Sequence, residues 1–210
     1  MKRFLVLTVA LMLVASFANA QFLFEGENEI GMFMVENPTA ESAQDDACYM
    51  GSPGQFTAYV VLTNPVNQNL GTPMANVGGF EFNLGYAAGL FVTPVLHPSA
   101  TNFMSPPDFF CGSNIPVVGG QCTLITLTIG TFTADPAPWY ITPVSDPAVQ
   151  SIPGSIPITD ADDNFSLSEA YNTTGSVDDI WDVPVFGMFE CSGVVPNEDV
   201  SWGGVKTLYQ

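Results

Sequence analysis

Few residues in this chain have the types and spacing that chemistry needs. His97 is the single histidine among 210 residues. A Ser-His-Asp or Cys-His mechanism would need it as the base. No G-x-S-x-G turn marks a nucleophile for it, and one histidine cannot build a histidine-rich metal site. Paired carboxylates are the other catalytic option, since glycoside hydrolysis sets two acids across the scissile bond. The chain has 21 Asp+Glu, and Glu81, Glu169 and Glu190 fall near strand-like segments. Most aspartates sit in turn-like sequence instead. A sugar-cleaving site also grips its substrate through a dense polar shell, which three Lys+Arg supply poorly. The residues therefore read as a protein with no catalytic role.

One cluster suits a metal. Asp160, Asp162, Asn164, Ser166 and Ser168 follow the alternate spacing by which an EF-hand or dockerin-type loop presents oxygens to calcium. Such a loop needs glycine at its sixth position and a bidentate acid at its twelfth. Here those positions hold Phe165 and Tyr171. A looser calcium site on Asp160, Asp162, Asn164 and Ser166 is the candidate, and the competing expectation is a solvated acidic loop in a protein with no cofactor. Asp178, Asp179 and Asp182 form a second acidic cluster around Ile180 and Trp181.

Aromatic residues make up 12% of the chain, and several lie in turn-like sequence, Phe109, Phe110 and Tyr171 among them. Trp139, Tyr140 and Trp181 are the candidates for stacking on sugar rings. The competing expectation is that such rings cover sheet ends and plug the core.

The charge balance excludes whole classes of function. Lys2 and Arg3 open an apolar run from Phe4 to Phe17, which ends in Ala18-Asn19-Ala20. That is the pattern of a secretory signal peptide of bacterial style, too short for a membrane span. Cleavage near Ala20 leaves Lys206 as the one basic side chain against 21 acids, a formal charge of −20. Nucleic-acid binding needs several cations to meet phosphates, and an anionic membrane surface needs a basic cluster. Both are excluded, and no later segment is apolar enough to span a bilayer. The expected location is secreted, extracellular or at the cell surface.

The four cysteines, Cys48, Cys111, Cys122 and Cys191, form no C-x-x-C pair. An even count in an exported chain favours two disulfides. The expected pairs are Cys111–Cys122, closing a short Gly/Pro-rich loop, and Cys48–Cys191, joining the two halves.

The elements that must position these residues are strands. In Gln55–Asn64, Phe56, Ala58, Val60 and Leu62 alternate with Gln55, Thr57, Tyr59 and Thr63. Phe80, Phe82 and Leu84 alternate likewise, as do Ile125, Leu127 and Ile129 within Cys122–Phe132. Ile30–Met34, Leu90–Leu96, Trp139–Thr142 and Val183–Cys191 complete the set. Turn sequences such as Ser52-Pro53-Gly54 and Gly119-Gly120 separate them. Many short alternating strands with few helices predict an all-β, two-sheet antiparallel sandwich. The expected organisation is a signal peptide at 1–20, one sandwich domain at 21–194, and a linker and short tail at 195–210. Residues 143–175 read as a long, partly ordered connection.

Val77-Gly78-Gly79-Phe80-Glu81-Phe82-Asn83-Leu84-Gly85-Tyr86, with Gly89-Leu90-Phe91-Val92, resembles the strand pair of cohesin-like domains. Gln121–Phe132 resembles a later long strand of the same domains. The resemblance implies a jelly-roll-like sandwich shared by cohesins and related carbohydrate-binding modules. The four cysteines, the 143–175 stretch and the lack of a dockerin partner signal depart from that pattern. The ends, Ile30-Gly31-Met32-Phe33 and Ser201–Tyr209, resemble exported proteins of environmental bacteria. Together these features predict adhesion, assembly or surface display, through a protein partner or self-association. The alternative is polysaccharide binding through exposed aromatics, with structural calcium.

Overall fold

The computed structural model describes residues 26–174, 181 and 183–191. The signal sequence, Asp178, Asp179, Asp182 and the tail at 195–210 lie outside the described residues.

The protein is nearly all β. Its first layer is built on β3 (Gln55–Thr63). β10 (Gln121–Gly130) pairs antiparallel along one side of it, and β1 (Glu29–Phe33) along the other. β7 (Phe91–Leu96) pairs with the outer side of β10 and ends the layer. The alternation read in Gln55–Thr63 is what fixes this register. Phe56, Ala58 and Val60 turn inward with Ile129, Leu127 and Ile125 opposite, while Thr57 and Tyr59 turn outward. A one-residue slip would expose the whole apolar row.

The second layer is built on β6 (Asn76–Tyr86). β9 (Asp108–Pro116) and then β8 (Ala100–Asn102) lie on one side of it. The other side is shared end to end by β12 (Ile156–Asp160) and β11 (Trp139–Thr142). One strand belongs to both layers. In β13 (Ser166–Asn172), Ser166–Ala170 pair antiparallel with β12, and Tyr171 and Asn172 pair parallel with β1. The inward rows of both layers meet in one core, where Ile30, Leu62 and Leu127 lie with Phe80, Phe82 and Phe109. The two-sheet sandwich is therefore as expected.

Both ends of the strand order are blunted against further pairing. β7 carries Pro94, which has no N–H to offer, and β8 is three residues long.

Small elements seal the ends. α1 (Ala43–Asp46) sets Ala43 and Ala47 over Phe33 and Val61 on the outside of the first layer. β2 (Cys48–Tyr49) pairs parallel with β14 (Gly187–Met188). The Cys48–Cys191 disulfide fastens the two segments across a sequence separation of 143. Gly187 permits the tight return to Cys191, since a Cβ there would lie 2.8 Å from the Glu190 carbonyl oxygen. β4 (Val66–Asn67) and β5 (Thr72–Pro73) form a short hairpin beside β13.

Three expectations are corrected. Of the stretch expected to be a partly ordered connection, residues 143–174 hold β12 and β13 at the junction of the layers. Their polar outward residues and Pro157 hide the alternation. The strand expected at Val183–Cys191 is reduced to Gly187–Met188. Cys111 and Cys122 are not bonded, and both are buried free thiols. Their strands are consecutive, but β9 pairs into the second layer and β10 into the first. The short connection is thus a crossing between layers. Burial pushes both thiols up to about 12.

Candidate functional site

The outer face of the second layer is hollowed by glycine. Gly79 on β6 stands opposite Gly112 on β9, with Gly78 beside them. These positions leave no room for side chains. A Cβ at Gly79 would lie 2.7 Å from the Cys111 carbonyl oxygen, and one at Gly78 would meet the Phe165 ring at 2.6 Å. Rings wall the resulting groove of about 330 Å³. Phe103, 68% exposed, leans over Gly112 and meets Phe110 edge-on at 6.3 Å between centroids. Phe165 and Leu167, both exposed, stand on the far side.

Two carboxyl groups flank this face, and each is held by local donors. Glu81 accepts a hydrogen bond from the Ser151 hydroxyl and another from the Ser151 N–H at 3.0 Å. Asp108 accepts from the Ser145 hydroxyl and N–H and from Asn83 Nδ2. Burial raises the Asp108 carboxyl, but these three donors outweigh it and hold it below the ordinary carboxylate value. Thr159 Oγ1 is buried beneath the groove without a hydrogen-bond partner.

The position of Phe165 depends on the acidic loop. Phe165 sits in the β12–β13 turn, where Asn164 and Phe165 both take left-handed backbone, with φ of 47° and 58°. Such a conformation is costly for an aromatic residue. The turn is held from behind by Asn67 on β4, which is fully buried. Asn67 Nδ2 lies 2.9 Å from Asp160 Oδ2, 3.0 Å from Asp163 Oδ2 and 2.8 Å from Ser166 Oγ. Its Oδ1 accepts the N–H groups of Asn69 and Leu70, which fixes the direction of the amide.

The four residues proposed for calcium are thus divided. Asp160 and Ser166 converge on an amide nitrogen. Asp162 turns to Asn76 Nδ2 at 3.0 Å, while Asn164 supplies the turn backbone. No group of three or more His, Cys, Asp or Glu among the described residues could hold a metal ion.

The three residues proposed for sugar stacking do not share a surface. Trp139 is fully buried, with Tyr86 against its ring at 4.7 Å and Nε1 directed at Met188 Sδ. It is a core residue, and this corrects its expected exposure. Tyr140, its neighbour on β11, is half-buried. Trp181 is half-buried, with Nε1 donating to the Gly154 carbonyl at 3.1 Å. His97 follows β7, and its Nδ1 accepts the Ser99 N–H at 3.2 Å.

Sequence reasoning singled out Phe110 among the turn aromatics but missed Phe103, Phe165 and Leu167 as wall residues. The Gly78-Gly79 pair inside β6 was the available signal, because glycine inside a strand marks close approach.

No protein-family model matches the chain, and no curated protein matches it. Among solved structures it is similar to the cohesin module from the Clostridium perfringens ATCC13124 family 33 glycoside hydrolase. That likeness has a TM-score of 0.35 and 12% sequence identity, and covers 69% of this chain and 97% of the module. No helix among the described residues is long and apolar enough to cross a membrane.

Proposed function

We propose that this is an exported, non-catalytic β-sandwich that works in assembly or adhesion by docking a protein segment on its second layer. The observation that carries the reading is the glycine-floored groove with Phe103, Phe110 and Phe165 as walls. A floor without side chains lets a partner's apolar side chain approach the backbone closely. Exposed rings at the margin supply the area that anchors interfaces. With both sheet edges blunted, a face is the better docking surface than an edge. The full chain carries a net charge of −18, so the fitting segment has an apolar anchor flanked by Lys or Arg.

The absence of a catalytic role is part of the proposal. His97 is tied to a local turn, and Glu81 and Asp108 are each occupied by serine donors.

The test is selection of a displayed random peptide library on the secreted protein, with counter-selection on a Phe103→Ala/Phe165→Ala variant. Enriched peptides should carry an aromatic or aliphatic anchor beside basic residues. They should bind the variant at least about tenfold more weakly, some 1.4 kcal/mol, at unchanged secondary structure. No enrichment, or equal binding to both proteins, would sink the reading.

A further inference from the structure

The outer face of the first layer differs in chemistry from the rest of the molecule. The chain has 21 acids, yet β3, β7 and β10 hold no charged residue at all. Their outward side chains form registered rows. Thr57, Thr128 and Thr93 stand side by side across the three strands. Tyr59, Thr126 and Val95 make the next row. At the end of the layer, Phe91, 62% exposed, meets Phe132, 85% exposed, edge-on at 5.4 Å between centroids. Phe91 flanks Gly130, and a groove of about 420 Å³ runs from the ring pair to Pro53, Gly54 and Gln55. Two large exposed rings beside a bank of hydroxyls need an explanation that the second-layer groove does not give.

We infer that this face binds a neutral polysaccharide chain. The pyranose ring has an apolar face that packs on flat rings and a rim of hydroxyls that pair with hydroxyl and amide side chains. Phe91 and Phe132 supply the first, and Thr93, Thr128 and Gln55 the second. A ligand without charge loses nothing on a face without charge. A second copy of this chain fits less well. The patch is three strands wide and three outward residues long, roughly 10 by 13 Å. That is far below the area of about 800 Å² that a stable protein interface needs on each side. Two copies of so acidic a chain would also repel. A glycan strand needs only a strip of this width.

The experiment is a depletion binding isotherm of the secreted protein on phosphoric-acid-swollen cellulose and on insoluble mixed-linkage β-glucan. Polygalacturonate serves as the charged counterpart. The expected result is retention on at least one neutral polymer and none on polygalacturonate. Retention should fall about tenfold or more in Phe91→Ala/Phe132→Ala and in Thr93→Glu. All three side chains are exposed, so melting temperatures should match the parent, which separates lost binding from lost folding. Failure to retain on both neutral polymers overturns the inference. So does retention unchanged in these variants, or retention lost only in Phe103→Ala/Phe165→Ala, which would move the glycan to the other face.

Discussion

Asn67 donates its side-chain amide to Asp160 at 2.9 Å, across 93 residues of sequence, from a position with no solvent contact. The same nitrogen lies within 3.0 Å of Asp163 and Ser166. An amide nitrogen carries two hydrogens, so three acceptors compete for them. Two carboxylates crowd a point where a cation would be the stronger partner, and the amide dipole stands in for it.

Removal of that amide should therefore cost more than an ordinary surface change. Asn67→Ala leaves Asp160 Oδ2 and Asp163 Oδ2 facing each other without the donor they share and should destabilise by about 3 kcal/mol. In a domain of this size that is roughly 6–12 °C in melting temperature. Peptide binding at the Phe165 wall should weaken in parallel, because the turn that holds the ring loses its support. A variant that melts with the parent would show that the turn holds itself.

Calcium should discriminate between the parent and Asn67→Asp. In the parent the centre of the loop is filled, and melting in millimolar calcium should match melting in chelator. Asn67→Asp places a third carboxylate there. It should be less stable in chelator and recover with calcium, since oxygen donors with room between them suit that ion. A calcium-dependent shift in the parent would return Asp160, Asp162, Asn164 and Ser166 to the role their spacing suggests.

Cys48–Cys191 closes a loop of nearly the whole domain. Its loss in Cys48→Ser/Cys191→Ser should cost up to about 5 kcal/mol in the chain-entropy model. Thiol labelling of the native protein should be slow at Cys111 and Cys122, whose thiols are buried and pushed up to about 12. Labelling at both should become complete in denaturant. Fast native labelling at either would contradict their place in the core.

Glu29 sets a pH dependence. It is 2% exposed on β1, between Thr63 and Tyr171, and Oε2 has no hydrogen-bond partner. Burial raises its carboxyl from 4.5 to about 7, partly offset by a backbone hydrogen bond at Gly26. The folded state thus holds this proton more tightly than the unfolded chain. The resulting stability is fully present below pH 4.5 and is lost as pH rises through about 7. Glu29→Gln should flatten that part of the profile and be more stable than the parent at pH 8 by roughly 1–3 kcal/mol, read as a higher melting temperature. A profile identical to the parent's would show that the carboxyl ionises freely.

The layers were legible where one face of a strand is apolar and the other polar. Gln55–Thr63 and Gln121–Gly130 show that alternation in sequence, and their register follows it. β12 and β13 were not legible. Pro157 interrupts the first, and the second changes partner at Tyr171, so no single periodicity runs through them. Trp139 misled because prolines flank its strand and suggest a surface edge. Residues 185–188 cover it instead. The groove was hidden for a different reason. Phe103 follows β8, while Phe165 lies in the β12–β13 turn and Leu167 on β13, and they meet only because β6 pairs with β9 on one side and with β12 on the other.

β13 gives the sandwich one closed side and one open side. At the closed side a single strand passes from one layer to the other, so the layers cannot separate there without breaking its ladders with β12 and β1 together. At the opposite side β7 and β8 end their layers with no ladder between them. Expansion of the core should therefore begin at that side, as a partial opening of the layers about β13. Hydrogen exchange should be fastest at the amides of β8 and β7 and slowest at those of β13 that pair with β12 and β1.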